Sequence, residues 1–160
     1  MVAHNARIKR DDVAARLDQP AIVIAADTTV FLGGEVLGKP ADTDEARRML
    51  EQLSGNTHQV LTGVAVVDTS TGKAAEGCES TDVTFRELSS SEIARFMSAV
   101  NPLDRAGAYT VDGPGTLIVS GYNGCYQNVL GLPIVCLDKA LRQAGHNLFK
   151  MMDASRCVFL

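Results

Sequence analysis

The 160-residue chain has room for one domain with a sizeable core. Its 46% hydrophobic and 21% charged residues are those of an ordinary globular protein, and a formal charge of −4 argues against a protein that coats nucleic acid polymers. No apolar run is long enough to span a membrane, and the opening MVAHNARIKRDDVAARL lacks the apolar centre of a signal peptide. A cytoplasmic protein with no membrane partner is therefore expected.

Residues 5–17 read as a helix with Ile8, Val13 and Leu17 on one side and charges elsewhere. The central stretch follows, residues 22–40, IVIAADTTVFLGGEVLGKP. Its apolar run 21–26 reads as a strand buried on both faces that ends at Asp27. A second strand is expected over 28–32, a turn at Gly33-Gly34, and a return over 35–37 that delivers Lys39 ahead of Pro40. Gly33, Gly38 and Lys39 have P-loop spacing, but Pro40 replaces the Ser or Thr that should continue a helix. Proline also turns the residue before it away from helical angles, so the P-loop reading is rejected.

Asp42 with Glu45 has capping-box spacing before a helix carrying Ala46, Met49, Leu50 and Leu53, closed by Gly55. Residues 60–67 are a strong strand, and the alternation of Thr81, Val83 and Phe85 marks a second that should pair with it as an antiparallel hairpin. Ser89 to Ser91 can cap a helix through Val100, with Ile93, Phe96 and Met97 inward. Residues 103–115, LDRAGAYTVDGPG, fit no period, and long irregular segments are often functional. Residues 116–120 read as a short strand, 121–131 as irregular, and Pro133 as the start of a last helix that ends at Gly145. The tail, 146–160, has no pattern. Helices and strands alternate irregularly around at least one antiparallel hairpin, so the expected class is α/β or α+β with a mixed sheet.

Asp27 is the leading candidate site residue. It can be a turn or cap residue, but a carboxylate at a strand end suits a metal ligand or a base for water. Lys39 is either a solvated turn lysine or a phosphate contact. Lys9, beside Arg7 and Arg10, reads from pattern as part of a solvated helix face. Asp104 and Arg105 can form a structural ion pair or touch a substrate. His58 reads as structural. Cys78, Cys125, Cys136 and Cys157 form no CxxC pair, which points to reduced thiols and away from a zinc or redox site. Pattern alone reaches a metal- and phosphate-handling α/β domain.

The segments IAADTTV, GEVLGKP, LSGNTHQVLTGVAV, TDVTF, NPLDRAGAYTVDG and QNVLGLPI together resemble the Maf family of nucleoside triphosphate pyrophosphatases, also called septum formation proteins, in that family's order and spacing. The resemblance implies an elongated α/β fold with a mixed sheet, flanking helices and two lobes around a cleft. It implies hydrolysis of a nucleoside triphosphate to monophosphate and pyrophosphate with a divalent cation, Mg²⁺ or Mn²⁺. Carried onto this chain, Asp27 becomes proton acceptor and metal ligand, Lys39 the lysine of the GKP motif, and Lys9 a lysine of the preceding helix. Thr28, Asp112 and Arg105 become substrate contacts. The ADT form of the first motif is similar to the branch acting on dTTP and UTP. The family's glutamine in AYxIQG is Asp112 here, and an ionised aspartate only accepts hydrogen bonds, so substrate preference can differ. The family's first strand and SxSPRR-like loop have no counterpart before Lys9, so a single domain over 1–160, truncated at its N-terminus relative to the family, is expected. The rival class is a catalytically weak or inactive Maf-derived protein that binds nucleotide or a partner, with a homodimer as one form; an unrelated phosphohydrolase is a third.

Overall fold

The computed structural model describes residues 1–153, so Cys157 and the end of the tail lie outside the described residues. The α/β architecture is built on a five-stranded sheet of order β2-β1-β3-β4-β5. The strands are β1 Ile22–Leu32, β2 Glu35–Leu37, β3 Thr57–Asp68, β4 Ala74–Phe85 and β5 Val119–Asn123, and all four pairings are antiparallel. Helices α1 Val2–Ala14, α2 Thr43–Leu53, α3 Ser90–Ala99, α4 Tyr126–Val129, α5 Ile134–Gln143 and α6 Leu148–Met151 flank it. The irregular segment 103–115 is threaded through short 3₁₀ turns, Pro102–Asp104, Ala106–Ala108 and Gly113–Leu117.

The hairpins and caps form as expected. Gly33 and Gly34 both take positive φ, which the two-residue turn between β1 and β2 requires. The Asp42 side chain accepts from Glu45 N at the start of α2, and Ser89 with Glu92 makes a full capping box on α3. The long β3–β4 ladder runs from Thr57↔Thr84 to Val67↔Ala74. Two apolar clusters lie along it. One gathers Val30, Val60, Val83 and Phe85 with α2 and α3; the other gathers Val64, Val66 and Ala75 with Cys136, Leu137, Ala140 and Leu141 of α5.

Five expectations change. The α/β class holds, but the sheet is not mixed: among the described residues every strand runs antiparallel to its neighbours. Asp27 does not end a strand: β1 runs through it unbroken, because Asp27 pairs with Gly63 and Thr28 with Thr62 in the β3 ladder. Nor is β1 buried on both faces, since Ile24 is exposed. The inward face of α1 is Val2, Ala6 and Arg10, while Ile8 and Val13 face outward and Leu17 lies exposed beyond the helix end at Ala14. Gly63 explains that choice: a Cβ there would stand 2.5 Å from the backbone of Val2 and Ala3, so α1 lies directly against β3 and a small Ala6 fits beneath it. Arg10 is tolerated inside because Asp11 at 2.7 Å and Glu76 at 3.5 Å neutralise it. Last, the fifth strand begins three residues later than the apolar run 116–120 suggests. Gly113 and Pro114 start a 3₁₀ turn that carries Leu117 out to solvent.

Candidate active site

The short strand β2 pairs with β1 only at Val30 to Leu32. Beyond it, among the described residues, β1 has no strand on that side, and a cleft of about 390 Å³ opens along this edge. Lys9, Asp27, Thr28, Lys39, Asp104 and Arg105 all line it. The cleft therefore draws on α1, β1, the loop after β2 and the irregular segment.

Cross-strand partners share a face of a sheet, so Asp27 stands with Gly63 on the side covered by α1. Gly63 lets α1 approach, and two residues one helical turn apart then reach the carboxylate. Asn5 Nδ2 donates to Asp27 Oδ2 at 2.9 Å, and Lys9 Nζ donates to Oδ1 at 2.6 Å. Lys9 Nζ also donates to the Ala26 carbonyl at 3.3 Å. Both oxygens of Asp27 are thus aimed, and its side chain is 16% exposed while that of Lys9 is 54% exposed. Lys9 is solvated, as its pattern suggested, and it is also a wall of the cleft; the i,i+4 spacing of Asn5 and Lys9 was the available signal.

Lys39 Nζ pairs with Asp104 at 2.5 Å, with both side chains largely exposed. The Lys39 hydrogen bond and charge, with a smaller contribution from Arg105, hold the Asp104 carboxyl below its ordinary range. Asp104 and Arg105 are therefore not each other's partner: Asp104 faces Lys39, and Arg105 lines the cleft. Asp112 lies one step away. It lines an adjoining hollow of about 310 Å³ that shares Asp104, Arg105 and Thr110 with the cleft. The Thr110 hydroxyl donates to the Asp112 carboxylate and lowers its pKa.

Behind the cleft His58 is structural, as its pattern suggested. It is buried, its Nε2 is 2.7 Å from the Tyr109 hydroxyl, and Phe85 and Tyr109 pack edge-on to its ring. Burial lowers its pKa to about 4. Tyr109 reaches the cleft wall and was not singled out from sequence, since nothing in AGAYT marks it.

The arrangement places two carboxylates, Asp27 held by Asn5 and Lys9 and Asp104 paired with Lys39, and three cations, Lys9, Lys39 and Arg105, around one edge. Among the described residues no group of three or more His, Cys, Asp or Glu gathers into a metal cage. A divalent cation would have to share Asp27 with oxygens of a ligand and water. Mg²⁺ is commonly bound in that way, through one or two carboxylates plus phosphate oxygens.

Comparison with known proteins bears on the family. The family model described as Maf-like protein matches residues 1–144. A Clostridium perfringens protein named dTTP/UTP pyrophosphatase is 45% identical over 135 residues, covering 84% of this chain and 70% of the relative. A Pyrococcus furiosus protein of the same name is 46% identical over 143 residues, 89% of this chain and 73% of that one. A third, from Methanococcoides burtonii, is 40% identical over 149 residues, 93% and 76% of the two chains.

Proposed function

The chain belongs to the Maf family, and from that premise we propose that it hydrolyses a nucleoside triphosphate, dTTP or UTP first, to the monophosphate and pyrophosphate. The observation that supports this most is that Asp27 and Lys39, from different elements, line one cleft together with Lys9 and Arg105.

Cleavage between the α and β phosphates needs an attacking water, a group to take its proton, and cations to offset charge on the phosphate oxygens. Asp27 is the acceptor in this reading: Asn5 and Lys9 fix both its oxygens, so the carboxylate needs little reorganisation when water arrives. Lys39 leaves Asp104 for the triphosphate, an exchange that costs little because the ion pair is solvated. Arg105 can meet phosphate oxygens with its planar fork of donors. A bound Mg²⁺ or Mn²⁺ would add Lewis-acid neutralisation of the phosphates, and Asp27 is the residue on the cleft wall suited to hold it. The cytoplasm belongs to the same proposal, since the nucleotide pool is there and Cys78, Cys125 and Cys136 are free thiols.

Purified protein supplied with dTTP, UTP, CTP or 7-methyl-GTP and Mg²⁺ or Mn²⁺ tests it by product analysis. Monophosphate and pyrophosphate in equal amounts, with dTTP and UTP turned over fastest and turnover abolished by EDTA, are expected. Orthophosphate as the released product would mark a different phosphohydrolase. Nucleotide bound without turnover would mark a binding protein.

A further inference from the structure

Thr28 faces the cleft from β1, and its hydroxyl has a partner on the inner side. Thr28 Oγ1 lies 2.8 Å from Thr62 Oγ1, its cross-strand neighbour. Thr62 is fully buried, and its hydroxyl also lies 3.1 Å from the main-chain carbonyl of Asn128. A carbonyl can only accept, and a hydroxyl carries a single proton. Both contacts can be hydrogen bonds in one arrangement alone. Thr62 donates to Asn128 O, and Thr28 donates to Thr62.

The rest of this buried polar chain holds that arrangement in place. Asn128 Nδ2 donates to Val60 O and to Thr81 Oγ1, both at 2.9 Å. Thr81 in turn spends its proton on Cys125 O at 3.0 Å. The Asn128 carbonyl also receives Gly131 N at 2.9 Å, which folds the loop carrying Leu130 and Gly131 over Thr28. A Cβ on Gly131 would come to 3.4 Å from the Thr28 hydroxyl.

We propose that Thr62, which touches no ligand, sets the hydrogen-bonding sense of the cleft wall: with its proton turned inward, Thr28 presents only lone pairs, so the cleft selects a ligand group bearing N–H or O–H at that point. A phosphate oxygen has nothing to donate there. Within the proposed nucleotide reading, on which this rests, two groups carry such a proton: the imide N–H of a uracil or thymine ring, and a sugar hydroxyl. Cytosine carries a bare ring nitrogen at the imide position and would meet lone pair with lone pair. Thr62 is a positioning residue in this scheme, and Thr28 is the contact.

The test is binding of product monophosphates by calorimetry, which does not depend on turnover. UMP against CMP reads the imide, and UMP against 2′,3′-dideoxy-UMP reads the sugar hydroxyls. Native protein should favour UMP in at least one pair by roughly fivefold to tenfold, the scale of one hydrogen bond. Thr62→Val removes the inner acceptor, frees the Thr28 proton and should bring that ratio to within about twofold of unity; Thr62→Ser should keep the native ratio. A merely structural Thr62 would weaken all the nucleotides alike and leave the ratios standing, which would overturn the proposal. Should Thr62→Val fail to fold, Thr28→Val reads the same point: UMP must lose affinity while the poorer ligand of the pair does not, and loss confined to CMP would make Thr28 a donor and the proposal wrong. Native protein that binds no mononucleotide, or binds them all equally, overturns it as well. Selective, Thr62-dependent binding without hydrolysis would instead sink the activity and leave this inference intact.

Discussion

Lys39 and His58 mark two ways a charged or titratable side chain is held here. Lys39 sits in an exposed pair with Asp104, which by itself adds little to stability. Its value lies in ligand contact. Lys39→Ala should leave the melting temperature nearly unchanged while lowering kcat/KM for UTP by roughly 10- to 100-fold, the worth of a charge-assisted hydrogen bond. Steady-state kinetics beside thermal melts separate the two effects. His58 is the opposite case, buried and neutral, with a pKa of about 4 against an ordinary 6.5. Between those values the unfolded chain binds the extra proton and the folded protein does not, so stability is full above pH 6.5 and falls as the pH drops to 4. The loss over that window is about 3 kcal/mol. Asp68 and Asp138, whose carboxyls are held low by hydrogen bonds from Ser70 and Arg142, act only below the ordinary carboxylate range. Urea unfolding from pH 7.5 to 4.5 should show the slope in the native protein, and His58→Gln should flatten it.

Among the elements, α1 carries most of what pattern could not tell. Hydrophobic period pointed to Ile8, Val13 and Leu17, yet the helix packs through Val2, Ala6 and Arg10. A helix seated on a glycine is chosen by closeness of backbones rather than by bulk, and that information sits in Gly63, fifty-odd residues from the helix in sequence. Gly63→Ala should therefore push α1 outward, cost about 1–3 kcal/mol as an overpacked contact, and draw Asn5 and Lys9 off Asp27. A lowered melting temperature together with a fall in turnover larger than in binding is the expected result. The strand ladder, by contrast, was legible: residues 60–67 are a nearly continuous apolar run, Thr81, Val83 and Phe85 alternate with polar neighbours, and Gly33-Gly34, Asp42 and Ser89 announce their turn and caps through local chemistry alone. Where β1 was read as stopping at Asp27, a local rule met a long-range one, since a carboxylate can continue in a strand when a neighbouring helix supplies its partners.

Across the whole molecule the cleft exists because β2 is short. Three residues of β2 cover one end of β1, and the uncovered length becomes the wall on which Ala26, Asp27 and Thr28 are displayed. Asp27 and Lys39 were legible as a pair because only eleven residues of strand and hairpin join them. Arg105 and Asp104 reach the same edge only through the folded irregular segment, pinned where Gly107 N donates to Gly38 O at 3.0 Å. No local spacing announces that meeting, and the same holds for Asp112 in the adjoining hollow.

The central claim is that Asp27 does chemistry on a polyphosphate held in this cleft. The most direct measurement is pyrophosphate release from UTP by native protein and Asp27→Asn, with UTP binding by each variant measured in parallel. Native-like binding with kcat reduced by roughly 10²- to 10⁴-fold, the span of a lost general base, is the predicted result. Release by Asp27→Asn at the native rate would contradict it.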